Sequence, residues 1–128
     1  TQFSAIPDYL STANAQICLL VQVETRAGID ALDDILQVDG VDGVFIGPSD
    51  LAADMGYLGD SDQPEVRAVI RDALARIAAS DKAAGILSLD HDTARLYRDW
   101  GAQFLAVGID VVMLTQAARA TMALWRDG

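Results

Sequence analysis

The chain is poor in the residues that most often announce chemistry. It has one cysteine, Cys18, and one histidine, His91, and its single lysine is Lys82. One thiol cannot form a disulfide within the chain, and inside an apolar run it is expected to pack in a core. Lys82 stands near a helix end and is expected at the surface. Basic residues are scarce: 9 Lys and Arg stand against 19 Asp and Glu, a formal net charge of −10. That balance disfavours nucleic acid, whose phosphates need clustered cations. It also means that an anionic substrate needs a local positive centre, such as a metal ion. No run reaches about 18 uninterrupted apolar residues, so no membrane span is expected. The opening residues carry no basic-then-apolar leader pattern. Thr1 in place of a methionine points to a missing or processed start, and a cytoplasmic protein is the expectation.

What is present is apolar and repetitive. With 128 residues and 52% hydrophobic content the chain suits one domain with an ample core. Short apolar runs alternate with amphipathic stretches: Ile17–Glu24, Val44–Ile46, Ala84–Leu87 and Phe104–Val107 read as strands. After the first strand, Ile29, Leu32 and Leu36 mark one helix face. A long loop from Gly47 to Gln63 leads to a helix opening at Pro64. There Val66, Val69, Ile70, Ala73, Leu74 and Ile77 follow the spacing of a buried helical stripe. Further helices are predicted from about Asp92 to Trp100 and from Asp110 to about Arg126, and Ile6–Leu10 reads as a short leading helix with Pro7 near its start. Tyr97, Trp100 and Trp125 read as packing residues. Four consecutive strand–helix units imply a parallel sheet with right-handed crossovers.

Two carboxylates stand out. Glu24 closes the first strand and Asp50 closes Gly43-Val-Phe-Ile-Gly-Pro-Ser49. Neighbouring parallel strands lie about 4.8 Å apart, so the pair emerges at one edge and repels unless a proton or a cation intervenes. The plainer alternative is that each acid caps the helix after it. An open flavodoxin-like sandwich and half of a (β/α)8 barrel both accommodate four units, since a closed barrel takes about 250 residues. The first strand favours the barrel. Leu19, Val21 and Val23 form a wholly apolar face, whereas Cys18, Leu20, Gln22 and Glu24 turn polar only towards the C-terminal end. Gln22 with Glu24, Ser49 with Asp50, Ser88, and Gly108 with Asp110 then gather at one rim, where barrel enzymes keep their catalytic groups.

Leu20-Val-Gln-Val-Glu-Thr25, Gly40-Val-Asp-Gly-Val-Phe-Ile-Gly-Pro-Ser-Asp-Leu51, Asp54-Met-Gly56, Gly85-Ile-Leu87 and Phe104-Leu-Ala-Val-Gly-Ile-Asp110 together resemble the class II pyruvate aldolases, the 4-hydroxy-2-oxoheptanedioate (HpcH/HpaI) aldolases and their relatives. The resemblance covers nearly the whole chain in order and corresponds to the C-terminal half of a TIM barrel, residues 1–128 as the last four βα units. It implies a divalent-metal-dependent aldolase joining pyruvate to an aldehyde, or cleaving 4-hydroxy-2-oxo acids. Carried over by residue, Glu24 and Asp50 are the metal ligands, Gln22 lies beside pyruvate, and the backbone of Gly47, Pro48, Ser49 and Asp50 holds its carboxylate. Leu87 lines the aldehyde pocket. Two hard oxygen ligands suit Mg²⁺, Mn²⁺ or Co²⁺ with open coordination positions, where the metal stabilises enolate charge. No Schiff-base lysine is needed. Ser49 stands where many relatives have alanine, and its hydroxyl adds a donor beside the pocket.

The family's general base, a histidine with an aspartate partner, and its polarising arginine belong to the N-terminal half, and no residue here matches them. His91 reads as a first-turn helix residue behind the cap Asp90, with a rim contact to the aldehyde as the alternative. Arg26, two residues after Glu24, reads as a solvent-facing helix start, with an approach to the site as the alternative. The chain is then part of a full enzyme or one half of a split one, the other half being its necessary partner. The alternative is a free-standing, non-catalytic half-barrel that binds small acids or a partner protein. The resemblance also implies a hexamer in which the last helix is exchanged between subunits. In keeping with this, that helix carries Val111, Val112, Leu114, Ala117, Ala118, Met122 and Trp125, more apolar surface than one stripe requires.

Overall fold

The computed structural model describes residues 5–126, so Thr1 lies outside the described residues. Its elements run α1 (Tyr9–Gln16), β1 (Leu20–Val23), α2 (Arg26–Asp30), α3 (Leu32–Leu36), β2 (Gly43–Ile46), α4 (Pro48–Asp54), α5 (Pro64–Ala78), β3 (Ala83–Leu87), α6 (His91–Asp99), β4 (Phe104–Ala106) and α7 (Asp110–Arg126). The four strands lie in the order β1-β2-β3-β4, and every neighbouring pair is parallel. Sequential order without a reversal is the order of a singly wound barrel; a doubly wound sheet contains a point where the order turns back. The fold is a partial α/β barrel.

The register explains why only one face is covered. Val23, Ile46, Ile86 and Leu105 stand in one row, and Val21, Val44 and Ala84 in another on the same side. Val44, Ile46, Ala84 and Ile86 are fully buried there, beneath α5, whose Val66, Ile70, Ala73, Leu74 and Ile77 are buried as their spacing predicts. Leu32 and Leu51 are fully buried in the same core. The alternate row, Gln22, Phe45, Gly85 and Phe104, faces the other way, and Phe104 remains half exposed. Phe45 and Phe104 meet edge to face, 5.9 Å between centroids. They meet across Gly85, where a Cβ would lie 2.7 Å from the Phe45 ring.

Several expectations change. The 47–63 loop contains α4, because Pro48 takes a first-turn position and Leu51 and Ala52 are buried; seven residues are too few to display a helical period. Strand β1 begins only at Leu20, so Cys18 is exposed rather than packed in the core. The leading helix starts at Tyr9 instead of Ile6, with Pro7 ahead of it and Asp8 at φ 60° accepting bonds from Ser11 and Thr12. Lys82 is not a free surface residue: its side chain is 13% exposed, with its ammonium 3.6 Å from Asp81. Tyr97 is buried and Trp100 packs against the core, 5.6 Å from Tyr97 between ring centroids. Trp125 does not pack, being 81% exposed. No residue of α7 is buried, and no helix among the described residues is long and apolar enough to cross a membrane.

Two outcomes are expected. Ile70→Ala removes a fully buried side chain and should cost about 2–5 kcal/mol in denaturant unfolding of the complete barrel. The 128-residue chain alone should self-associate in light scattering, since α7 bares Val111, Leu114, Met122, Leu124 and Trp125. A monomer with cooperative unfolding would show that this half stands by itself.

Candidate functional site

The site grows from the open face at the C-terminal strand ends. One residue beyond the Val23–Ile46 pairing come Glu24 and Gly47, and the Gly47 N–H donates to the Val23 carbonyl at 3.0 Å. Period 2 turns Glu24 to the side of Gln22, and the Gln22 amide donates to the Glu24 carboxylate. Gly47 is required for space: its φ of −97° is open to any residue. A Cβ there would lie 2.8 Å from Glu24 Oε2, 2.9 Å from Glu24 Cβ and 3.1 Å from Gln22 Nε2. The carboxylate therefore lies against bare backbone on one side and an amide donor on the other.

Asp50 sits in the first turn of α4, exposed, and its carboxylate accepts no hydrogen bond among the described residues. The capping explanation fails for Glu24, because Thr25 Oγ1 caps α2 by accepting the Gly28 N–H at 3.1 Å. Asp50 is not the cap of α4 either; that position is Gly47. The first-turn N–H groups of a helix lack intrahelical partners, which leaves those of Ser49 and Asp50 available to an anion. Beside them Pro48, Ser49 and Leu87 line a cleft of about 240 Å³ with Ser88, Asp90 and Tyr97. Gln22, Glu24 and Gly47 thus form one group, and Pro48, Ser49 and Leu87 a second. Asp50 lines neither.

The donor chemistry suits a hard divalent cation. Glu24 and Asp50 offer oxygen only, the donor type such cations take; among the described residues no group of three or more His, Cys, Asp or Glu side chains is gathered to hold a metal ion. His91 opens α6 and borders a shallow groove with Leu105 and Val107, as a first-turn residue should. Asp90 caps that helix, accepting the Thr93 N–H at 2.8 Å. The Thr93 backbone bond, followed by its hydroxyl, holds the Asp90 carboxyl below the usual carboxylate range.

Two contacts were unforeseen from the sequence, one within a turn and one between turns. Ser88 is buried and its hydroxyl donates to the Asp90 carbonyl at 2.9 Å. Arg26 does begin α2, yet its guanidinium donates to the Met55 carbonyl at 3.0 Å instead of facing only solvent.

A family model for HpcH/HpaI aldolase/citrate lyase matches residues 1–117. The chain belongs to the HpcH/HpaI aldolase/citrate lyase family. It is 71% identical over 126 residues to a hydroxypyruvate/pyruvate aldolase of Roseovarius nubinhibens, covering 98% of this chain and 49% of that protein. To a 4-hydroxy-2-oxo-heptane-1,7-dioate aldolase of Escherichia coli it is 51% identical over 123 residues, covering 96% and 47%. A crystal structure of a family member from Burkholderia cenocepacia superposes with a TM-score of 0.87 at 40% identity, over 98% of this chain and 49% of that one. The chain spans about half the length of the curated relatives it matches.

Gly47→Ala should displace the Glu24 carboxylate, because the added methyl meets both its oxygen and its Cβ. In the complete barrel the expected result is weaker Mn²⁺ binding by titration, with an unfolding midpoint close to wild type. Unchanged binding would show that the Glu24–Gly47 contact does not govern the site.

Proposed function

We propose that residues 1–128 are the C-terminal half of a (β/α)8 aldolase barrel, whose N-terminal half supplies the remaining strands, the general base and the polarising arginine. The activity inferred is reversible aldol cleavage and addition between pyruvate and an aldehyde, acting on 4-hydroxy-2-oxo acids with a divalent metal. The observation that carries this reading is the Glu24 carboxylate, oriented by Gln22 against the bare backbone of Gly47, with Asp50 on the next strand–helix turn. The relatives' names, which mention hydroxypyruvate, pyruvate and 4-hydroxy-2-oxo-heptane-1,7-dioate, support the substrate class.

Glu24 and Asp50 are assigned to hold Mg²⁺, Mn²⁺ or Co²⁺. A bound metal supplies Lewis acidity, lowering the cost of negative charge on a keto oxygen as the neighbouring methyl group loses its proton. Gln22 engages one Glu24 oxygen and leaves the other free, fixing the direction from which that ligand approaches. The N–H groups of Ser49 and Asp50 are assigned to the substrate carboxylate; Pro48 has no N–H and contributes by fixing the helix start. Leu87 gives the aldehyde an apolar wall, and the exposed Ser49 hydroxyl adds a donor beside it. No general base is assigned to this chain, since His91 lies by Leu105 and Val107, and Leu105 belongs to the helix-covered row. The bare apolar surface of α7 favours a homo-oligomer, and the resemblance suggests a hexamer with this helix exchanged.

Glu24→Ala and Asp50→Ala in the complete barrel should each bring metal content and turnover to background while leaving a folded protein, because two protein ligands tolerate the loss of neither. Chelation of wild type should do the same, reversed by Mn²⁺. Wild-type metal content and turnover in Asp50→Ala would end the assignment.

A further inference from the structure

Two hydrogen bonds cross between the turn that carries Glu24 and the helix that carries Asp50. The Arg26 N–H, at the first position of α2, donates to Asp54 Oδ2 at 2.7 Å. The Arg26 guanidinium also donates to the carbonyl of Met55, the residue that ends α4, at 3.0 Å. Each bond satisfies a backbone group that its own helix leaves unpaired. The partners are 28 and 29 residues apart in sequence, so neither bond serves local chain geometry. Both join the segments immediately beyond the C-terminal ends of β1 and β2.

We propose that Arg26, donating to Asp54 and Met55, forms a clamp that sets the spacing of the Glu24 and Asp50 carboxylates, making Arg26 and Asp54 positioning residues for the metal. The inference rests on the assignment of those carboxylates under the proposed function. Glu24 precedes Arg26 by two residues, and Asp50 precedes Asp54 by four, one helical turn on the same side of α4. The contact of Glu24 with Gly47 has no slack, as the space that a Cβ would need is already filled by Glu24 atoms. Gly47 is itself the N-cap of α4. A shift of α4 against the β1–α2 turn therefore moves Asp50 and presses or releases Glu24 together. Arg26 and Asp54 are exposed, and exposed polar pairs contribute little to global stability. The clamp acts on geometry, which separates it from a structural role in folding.

The test uses the complete barrel, with Mn²⁺ affinity read from the free-ion paramagnetic resonance signal and stability from thermal unfolding of the metal-free protein. Asp54→Ala and Arg26→Met should each weaken Mn²⁺ binding by about tenfold to a hundredfold, the range for residues that orient a ligand, with little change in unfolding midpoint. Asp54→Asn keeps an oxygen to accept the Arg26 N–H and should stay close to wild type. Wild-type affinity in both Asp54→Ala and Arg26→Met, alongside lost binding in Glu24→Gln, sinks the clamp and leaves the metal pair intact. Wild-type affinity in Glu24→Gln and Asp50→Asn instead overturns the metal assignment, and the clamp with it. If Asp54→Ala does not fold, Arg26→Met decides alone.

Discussion

The in-register parallel pairing of four successive strands is the constraint on which the remaining structure depends. Pairing Val23 with Ile46, Ile46 with Ile86 and Ile86 with Leu105 puts apolar side chains in one row, and α5 covers that row with a fully buried stripe. Because side chains alternate along a strand, the same pairing turns Gln22, Phe45, Gly85 and Phe104 to the opposite face. One residue further along, Glu24 meets Gly47. A slip of one residue would exchange the faces of the strand that slips: in β2 it would expose Val44 and Ile46, and in β1 it would turn Glu24 beneath the helices. Burial on one side therefore dictates the placement of polar groups on the other.

Close packing sharpens this placement. Glycine at 47 and at 85 reflects crowding by a neighbouring strand's side chain: Glu24 over Gly47, and the Phe45 ring over Gly85. The aromatic pair and the carboxylate lie on the same open face, with the carboxylate nearer the strand ends. An apolar floor thus lies beneath an oxygen-rich rim. At the rim the strand–helix turns are tied by hydrogen bonds between residues distant in sequence, as in Arg26 with Asp54 and Met55.

The fold was legible in residues 17–110, and so was the placement of Gln22, Glu24 and Asp50 at the C-terminal strand ends. The α5 stripe, the four strands and the Asp90 cap all follow from short-range pattern. Family membership was legible in the motifs around Glu24 and Asp50, and the model match over residues 1–117 bears it out. Less legible were features shorter than a period or dependent on distant partners. Helix α4 was hidden because seven residues starting at proline carry almost no periodicity. Cys18 and Trp125 were misplaced because an apolar residue near an element's end is buried only if another element covers it; β1 starts two residues after Cys18, and α7 has no buried residue.

By itself the sequence determined the alternation of strands and helices, the apolar face of each, and the pairing of Glu24 and Asp50 with successive strand ends. Those properties depend on local periodicity and on residue type, which any stretch of chain displays without a partner. Only the tertiary structure decided that the strands run in sequential order, that Glu24 lies against Gly47 and accepts from Gln22, and that Arg26 reaches Met55. The strand order and the contacts with Gly47 and Met55 depend on which segments, tens of residues apart, are brought within a few ångströms. Pairing and close packing create that proximity, and no single segment encodes it.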